Sequence, residues 1–373
     1  MEIAFWTFAA LSVYSYLIFP ISLIALAKIA RRLWAKAEIR PDVSLIVSVY
    51  NEEKVVAGKI ENAQSLDYPV ERLEILVVSD GSTDDTEKIV RGFDDPRVAL
   101  KAFKGRSGKT ACLNRAIPET RGEIILFSDA NSMFPRDILV KLVRNFADLE
   151  VGLVTGWTRY GEVNQVEDTP GIYSRFEKWT KIKESDVSSC VGADGAVFAM
   201  RKELYRTLRE DDINDFVIPL NVINQGKRVV IDPDVYCLES STNEADKEYQ
   251  RQVRITNRTL SAIGRNLVFL NPFRYGSFSY FLFSHKIMRF LVPFFLIAIF
   301  GVNLMLLGTS RFYSFTFGCQ LAALAVAVSG LLGFTSGKIP KIAKFFLVTM
   351  LAQSTAWLRT LAGISDTMWT PQR

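Results

Sequence analysis

The chain has 373 residues, of which 49% are hydrophobic, and a formal net charge of +5. Its one histidine, His285, lies among phenylalanines near an apolar segment, which excludes histidine-based catalysis. The four cysteines are scattered without a CxxC pair, which argues against a disulfide framework or a zinc site. There is no nucleic-acid-binding motif. The basic residues concentrate near apolar segments, so an anionic membrane leaflet is the expected partner rather than nucleic acid.

Three long segments carry no charged residue: Ile3–Ala27, Phe290–Ser310 and Phe312–Gly337. Each exceeds the roughly 20 residues that a helix needs to cross a bilayer. The first segment lacks a basic region before it and is preceded by Glu2, so we expect an uncleaved anchor rather than a signal peptide.

Basic residues flank these segments on one side. They are Lys28, Arg31, Arg32, Lys36 and Arg40 after the first segment, and Lys338, Lys341 and Lys344 after the third. This bias predicts a protein of the bacterial inner (cytoplasmic) membrane with residues 40–285 in the cytosol. A last segment, Phe345–Ser365, is apolar apart from Arg359. It either spans or lies in the interface, and we expect a fourth span.

From Val43 onward, strand-like and helix-like stretches alternate, which predicts a parallel sheet with crossover helices. The expected strands are Val43–Val49, Leu73–Ser79, Arg97–Ala102, Ile124–Phe127 and Gly152–Tyr160. The expected helices are Glu52–Leu66, Thr83–Gly92 with Ser82 as N-cap, Gly108–Ile117, and one that begins at Pro135.

The later part of the chain has a different pattern. Tyr173–Trp179 mixes aromatic and charged residues at helical spacing, Glu248–Leu270 is basic and amphipathic, and Tyr275–Phe283 is rich in aromatic residues. Near membrane spans, such helices tend to lie in the interface. The alternative is a solvated face with a buried stripe.

Two predicted strands end in an aspartate, Asp80 and Asp129. Ligands of open α/β sheets bind at the carboxyl ends of strands, so these acids are candidates for binding a sugar nucleotide. Taken singly, either is also an ordinary turn or helix-cap residue. The first strand is followed by Tyr50-Asn51-Glu52-Glu53, where Tyr50 would pack on a base and Glu52 would accept ribose hydroxyls.

Asp129-Ala130-Asn131 places two oxygen ligands two residues apart. Hard divalent cations take such oxygens and keep positions for phosphate, so a metal here would stabilise a departing diphosphate. Upstream, Gly105–Thr110 resembles a P-loop, but Phe103 occupies the position of the first glycine. Lys109 at a helix N-terminus nevertheless fits phosphate binding.

Four acids occur within residues 210–215, where a helix begins that is expected to run to Asn224 and stop at Gly226. One acid aimed at the reacting sugar would serve as general base. The alternative is a charged helix N-terminus, and this segment alone does not identify which acid matters.

The order Tyr-Asn-Glu-Glu, strand-Asp80, Gly108-Lys109, Asp129-Ala-Asn131 and Asn214-Asp215-Phe216 resembles membrane-bound family 2 glycosyltransferases, over residues 43–365. That group includes synthases of chitin oligosaccharide, hyaluronan, poly-N-acetylglucosamine and cellulose. The resemblance implies an α/β GT-A domain with a mixed, mostly parallel sheet, plus interfacial amphipathic helices and transmembrane helices.

The resemblance also implies roles for individual residues. Asp80 would bind uracil, Asp129 and Asn131 would bind Mg²⁺ or Mn²⁺ with the diphosphate, and Asp215 would be the base. Asp194 and Gly195 lie in a segment that resembles the acceptor-site lining of the family.

The chain departs from the family pattern in two motifs. The metal motif ends in the neutral Asn131, and Asn214 replaces a glutamate. The QxxRW motif appears as Arg251-Gln252-Val253-Arg254-Ile255, without its glutamine and tryptophan. Arg251 and Arg254 still suit diphosphate, because a guanidinium fork fits phosphate oxygens. The missing tryptophan would have formed the floor of the acceptor site, so processivity is in question.

We therefore expect an inverting membrane enzyme that transfers sugar from a UDP-sugar to a growing β-linked polysaccharide on the cytosolic face, with an export partner as a further expectation. One alternative is single-sugar transfer to a lipid such as a polyprenyl phosphate or a sphingolipid-like acceptor. Another is a catalytically weak subunit of a partner synthase. The expected regions are an anchor at 1–30, the transferase domain at 40–240, interfacial helices at 241–286, spans at 287–365 and a tail at 366–373.

Overall fold

The structure, a computed structural model, describes residues 1–161, 172–239, 245–335 and 337–364. The chain divides into two compact units. Of the described residues, the helical unit contains 1–22, 245–270, 279–335 and 337–364, and the sheet unit contains 23–161, 172–239 and 271–278.

The described part of the sheet unit contains a seven-stranded sheet with the order β3-β2-β1-β4-β6-β5-β7. The strands are β1 (Val43–Val49), β2 (Leu73–Asp80), β3 (Val98–Phe103), β4 (Ile124–Asp129), β5 (Val151–Tyr160), β6 (Val197–Arg201) and β7 (Arg228–Glu239). β1, β2, β3 and β4 pair in parallel, as do β5 and β7. β6 runs antiparallel to both of its neighbours. The sheet is therefore mixed and mostly parallel.

The helices in the described residues are α1 (Glu2–Val13), α2 (Phe19–Ile29), α3 (Val56–Gln64), α4 (Thr86–Arg91), α5 (Lys109–Ala116), α6 (Ile138–Val143), α7 (Ile172–Val187), α8 (Asn214–Asn224), α9 (Ala245–Arg265), α10 (Pro272–Tyr275), α11 (Ser277–Phe281), α12 (Met288–Met305), α13 (Arg311–Leu331) and α14 (Lys338–Leu361).

Strand β1 lies at the centre of the first half of the sheet. All seven of its residues are buried, because strands of a parallel sheet are covered on both faces. One core cluster contains Val43, Leu45, Val47 and Val49 of this strand together with residues of α3 and α6. This packing fixes the ends of β1, β2 and β4, where the candidate site lies.

The helix expected from Glu52 begins at Val56 as α3, and two further predicted helix starts are wrong. α4 begins at Thr86, since the Ser82 hydroxyl accepts a hydrogen bond from the Asn51 backbone N–H at 3.1 Å and does not cap the helix. α6 begins at Ile138, since Met133 pairs as an isolated bridge with Leu238 and the chain then turns. In both places a partner distant in sequence overrides the local preference.

In the described residues, three helical stretches have the length and composition to cross a membrane: Glu2–Ile29, Ser277–Met305 and Arg311–Leu331. The second begins before Phe290 and before the boundary at 287 that the sequence predicted. α14 covers the expected fourth segment but is not among these three, and it contains Lys338, Lys341, Lys344 and Arg359.

Within the helical unit, α14 pairs with α9. The Tyr249 hydroxyl lies 2.8 Å from the Thr355 hydroxyl, and the Asn257 amide donates to the Thr360 hydroxyl at 2.9 Å. α14 is therefore attached to α9 through the polar side chains of Thr355 and Thr360.

Candidate active site

The parallel pairing of β2, β1 and β4 brings their carboxyl ends to one edge of the sheet. Val49 lies opposite Ser79, and Ser48 lies opposite Asp129. The antiparallel β6 begins at the same edge, where Val197 lies opposite Ser128. The segment before β6, which contains Asp194 and Gly195, therefore arrives beside the ends of the parallel strands.

Asp80 is 4% exposed and receives hydrogen bonds from the loop that follows β3. The backbone N–H groups of Ser107 and Gly108 donate to its carboxylate at 2.7 and 3.1 Å, and Arg106 lies 3.4 Å away. The Cys112 thiol donates at 3.3 Å, and burial raises the pKa of this thiol to about 12, so it stays protonated. Asp80 thus fixes this loop at the start of α5.

Two glycines allow the loop to approach β2. A Cβ on Gly81 would lie 2.4 Å from the Gly105 carbonyl oxygen, so backbone packs directly on backbone there. Gly81 and Gly105 also have φ values of +70° and +72°, which side chains rarely adopt.

Tyr50 lies under the guanidinium group of Arg106, whose central carbon is 3.5 Å from the centroid of the ring. The sequence predicted a base on this ring, and in this structure the arginine covers it. Glu52 is 2% exposed, and its backbone N–H donates to the Thr86 hydroxyl at 2.7 Å. Contact between Glu52 and a ribose therefore requires a movement of these loops and stays a prediction.

Lys109 and Asp129 form an ion pair, with Nζ 2.6 Å from Oδ1. Lys109 is the first residue of α5, and Asp129 is the last residue of β4. Their side chains are 15% and 25% exposed, so both are partly accessible to solvent at this edge of the sheet. An ammonium group and a carboxylate therefore lie side by side at this edge of the sheet.

Asp129 and Asn131 carry the carboxylate and amide oxygens that divalent cations take in proteins. Within the described residues, no group of three or more His, Cys, Asp and Glu side chains is arranged to hold a metal. Asp129 and Asn131 are both half-buried at the edge and offer two hard oxygens. Mg²⁺ commonly takes one or two protein oxygens and completes its shell with water and substrate phosphates.

Asp215 is half-buried in the first turn of α8. The Ala193 backbone N–H donates to the Asp215 carbonyl oxygen at 2.7 Å. A Cβ built on Gly195 would lie 2.9 Å from the Asp215 carboxylate oxygen Oδ2, so this carboxylate faces the segment before β6.

The other acids of this segment have different surroundings. Asp212 accepts from the Arg209 backbone N–H at 3.0 Å, and Asp211 pairs with the Arg209 side chain at 3.2 Å. Glu210 is exposed. Of the four acids, Asp215 is therefore the one that faces Gly195. In addition, the Thr110 hydroxyl on α5 donates to the Asp212 carbonyl oxygen at 2.9 Å, which links this turn to the helix that carries Lys109.

Asp194 is held by local hydrogen bonds. Its carboxylate accepts from the Thr158 backbone N–H at 2.8 Å, from the Thr158 hydroxyl at 3.0 Å and from the Ala196 backbone N–H at 3.1 Å. These contacts tie the segment before β6 to β5. An acceptor-side role for Asp194 stays a prediction, and a structural role in shaping this segment is evident.

Arg251 and Arg254 lie on α9 of the helical unit. Arg251 lies 3.6 Å from Glu248 one turn earlier. Their expected contact with a diphosphate stays a prediction. Residues 162–171 and 240–244, which precede α7 and α9 in the chain, lie outside the described residues.

Sequence reasoning missed two side chains at this edge. Arg106 covers Tyr50, and Lys59 on α3 is fully buried behind the segment that carries Asn131. Arg106 was visible only as part of a basic loop. The local sequence does not distinguish Lys59, except that it is a lysine on the apolar face of a helix.

Comparison with known proteins identifies the domain. Residues 44–209 match glycosyl transferase family 2. The chain contains a glycosyl transferase family 2 domain. The match begins in β1 and ends after β6, so it includes Asp80, Lys109, Asp129 and Gly195.

Curated relatives of the family 2 domain include enzymes named for two kinds of product. A β-monoglucosyldiacylglycerol synthase of Nostoc sp. is 35% identical over 118 residues, which are 31% of this chain and 25% of that protein. A poly-β-1,6-N-acetyl-D-glucosamine synthase of Staphylococcus epidermidis is 29% identical over 155 residues, which are 40% of this chain and 34% of that protein. The match thus spans a quarter to a third of the length of these relatives.

Among solved structures, a mannosyltransferase from Pyrobaculum calidifontis, solved with GDP-Man and Mn²⁺, has a similar fold. The TM-score is 0.73 with 22% identity, and the match covers 96% of this chain and 99% of that chain. The predicted fold class is confirmed: a GT-A domain with a mixed, mostly parallel sheet, together with helices that are long and apolar enough to cross a membrane.

Proposed function

We propose that the protein is an inverting glycosyltransferase that uses a UDP-sugar and a divalent cation. The observation that carries the proposal is the position of Asp215, whose carboxylate faces Gly195 beside the edge that carries Asp129 and Lys109. The match to glycosyl transferase family 2 supports this assignment.

The donor would bind at the ends of β1, β2 and β4. Asp80 would accept from the uracil ring, and Tyr50 would stack on it once Arg106 moves aside, since both groups are engaged by the loop after β3 in this structure. Lys109 would contact the diphosphate, because its ammonium lies at the N-terminus of α5, where the helix dipole favours anions.

Asp129 and Asn131 would hold Mg²⁺ or Mn²⁺ together with the diphosphate. When bound, the metal supplies a Lewis acid that stabilises negative charge on the departing nucleotide. The P. calidifontis mannosyltransferase was solved with Mn²⁺, which supports a metal of this kind.

Asp215 would act as the general base. It would accept the proton of an acceptor hydroxyl, whose oxygen attacks the anomeric carbon from the face opposite the diphosphate. The bond to the diphosphate breaks as the new glycosidic bond forms, so the configuration inverts. Lys109 would offset the charge of the leaving group.

For the acceptor, we propose a lipid that receives a single sugar. Two observations favour it over the growing polysaccharide: the chain lacks the glutamine and tryptophan of the QxxRW motif at 251–255, and the Nostoc relative is named for a glucosyldiacylglycerol product. A β-linked polysaccharide remains the second candidate because the S. epidermidis relative is named for a polymer.

We further propose that the three long apolar helices anchor the protein in the cytoplasmic membrane, with the sheet unit in the cytosol. The exposed residues Leu267, Val268 and Phe273 would lie in the interface next to the span that begins at Ser277. A catalytic domain held at this surface meets lipid acceptors by diffusion within the plane of the membrane.

The test is UDP release by purified protein with a panel of UDP-sugars, GDP-mannose as comparison, Mn²⁺ or Mg²⁺, and lipid extract as acceptor. Mass spectrometry of the lipid product decides between the acceptors, because one added hexose supports the lipid and a ladder supports the polymer. Activity with GDP-mannose alone would overturn the assignment of a UDP-sugar.

A further inference from the structure

Lys59 on α3 is fully buried inside the sheet unit. Burial of an ammonium group is costly unless polar partners compensate. Nζ donates to the Ser132 carbonyl oxygen and lies 3.6 Å from the centroid of the Phe134 ring. Burial lowers the pKa of Lys59 to about 7, and the negative charges of Asp129 and Glu239 oppose that fall.

The segment that Lys59 contacts follows Asp129 and Asn131 directly. α3 holds this segment from one side, because the Asn62 side chain exchanges two hydrogen bonds of 2.8 Å with the Phe134 backbone. β7 holds it from the other side, because the Met133 and Leu238 backbones exchange bonds of 2.9 and 2.8 Å.

Ser132 lies between these two attachments. Its hydroxyl donates to the Glu239 carboxylate, and its carbonyl accepts from Lys59. Lys59, Ser132 and Glu239 therefore form a hydrogen-bonded chain behind the two oxygen donors, in which Lys59 and Ser132 are buried and Glu239 is half-buried. If this position only had to fill space in the core, an apolar residue of the same size would stabilise the fold equally well.

We propose that Lys59 is a positioning residue for the metal and diphosphate site: it fixes the Ser132 carbonyl and thereby orients Asp129 and Asn131. This inference rests on the proposed function, since it assigns Lys59 to the donor end of that site. Lys59 itself touches neither donor nor metal.

The variant Lys59→Met keeps the length of the side chain and removes the N–H donors. The matched control is Lys181→Met, which removes a second buried lysine, on α7, whose charged neighbours are Glu177, Glu184 and Asp194. If Lys59→Met does not fold, Asn62→Ala loosens the same segment at Phe134 and takes its place.

The measurements on full-length protein in detergent are UDP binding by calorimetry with and without Mn²⁺, and hydrogen exchange of the amides of residues 132–134. Lys59→Met should weaken Mn²⁺-dependent UDP binding about tenfold, or about 1.4 kcal/mol. It should leave Mn²⁺-free UDP binding unchanged and should speed exchange at 132–134. Lys181→Met should change neither quantity.

Unchanged exchange at 132–134 in Lys59→Met would overturn the inference whether or not UDP binds. Faster exchange with unaltered Mn²⁺-dependent UDP affinity would also overturn it, since Lys59 would then support only the fold. Failure of the wild-type protein to bind UDP would count against the proposed function, and the exchange result would then decide the role of Lys59.

Discussion

Gly195 and Asp215 approach so closely that a Cβ on the glycine would lie 2.9 Å from the carboxylate oxygen Oδ2. The two residues belong to different segments, one before β6 and one in the first turn of α8. The absence of a side chain at 195 therefore leaves room for the carboxylate that we propose as the base.

Gly195→Ala should lower kcat about tenfold or more while the KM for the donor changes little, because a shift of the Asp215 carboxylate misaligns proton transfer. Steady-state kinetics with the best donor of the panel measure this split. The matched control is Gly58→Ala on α3, whose added Cβ would lie 3.9 Å from Met133, an ordinary contact. Equal loss of activity in both variants would contradict the assignment.

Asp215→Asn should abolish sugar transfer and leave UDP binding intact. The amide keeps the shape of the side chain but cannot accept the acceptor proton at neutral pH. Transfer is measured by the lipid product, and UDP binding by calorimetry. Asp211→Asn serves as control, since Asp211 pairs with Arg209. Retained transfer in Asp215→Asn would remove this residue from the mechanism.

Asn131→Asp should lower the Mn²⁺ concentration for half-maximal activity about threefold to tenfold, because a second carboxylate adds charge to the metal site. The measurement is a Mn²⁺ titration of UDP release at saturating donor. A rise in the required Mn²⁺ concentration would show that the neutral amide at 131 is not a weakened metal ligand.

Lys59 makes stability depend on pH. Its pKa falls from an ordinary 10.5 to about 7 in the folded state, so the unfolded state binds more protons between these values. The free energy of unfolding should therefore rise with pH from 7 to 10 by up to about 1.4 kcal/mol per pH unit.

The rise due to Lys59 is isolated by comparison with Lys59→Met, in which it should be missing. Thermal unfolding of both proteins at pH 6.5 and pH 9.5 gives the difference. Parallel pH dependence in the two proteins would mean that Lys59 keeps an ordinary pKa.

Phe273 in α10 is 100% exposed and precedes the span that begins at Ser277. Phe273→Trp in nanodiscs should show fluorescence that brominated lipids quench, because an interfacial ring lies at the depth of the headgroups. Val70→Trp is the control, since Val70 is 60% exposed in the turn before β2. Equal quenching at both positions would contradict an interfacial location.

The strands β1, β2 and β4 were predictable within about two residues, because fully buried apolar runs bounded by polar residues have few other conformations. β6 and β7 were not predicted, since their pairing joins segments that are distant in sequence. Likewise, the hydrogen bond from the Asn51 backbone N–H to the Ser82 hydroxyl cannot be predicted from the local sequence.

The candidate site was likewise predictable only in part from the sequence. Asp80 and Asp129 stood out because each is an acid that follows an apolar run, whereas Asp215 was selected only by the resemblance to the family. Which of the acids between 210 and 215 faces the glycine depends on tertiary packing, and so do the burial of Lys59 and the stacking of Arg106 on Tyr50.

Because β6 runs antiparallel to its neighbours, two kinds of loop meet at the edge of the sheet where the candidate site lies. Loops that follow β1, β2 and β4 come from crossover connections, whereas the Gly195 segment comes from the beginning of an antiparallel strand. Under the proposed function, substitutions that alter acceptor choice would then accumulate between α7 and β6 without disturbing nucleotide recognition. Relatives that share the donor half could in this way diverge in product while keeping the same sheet.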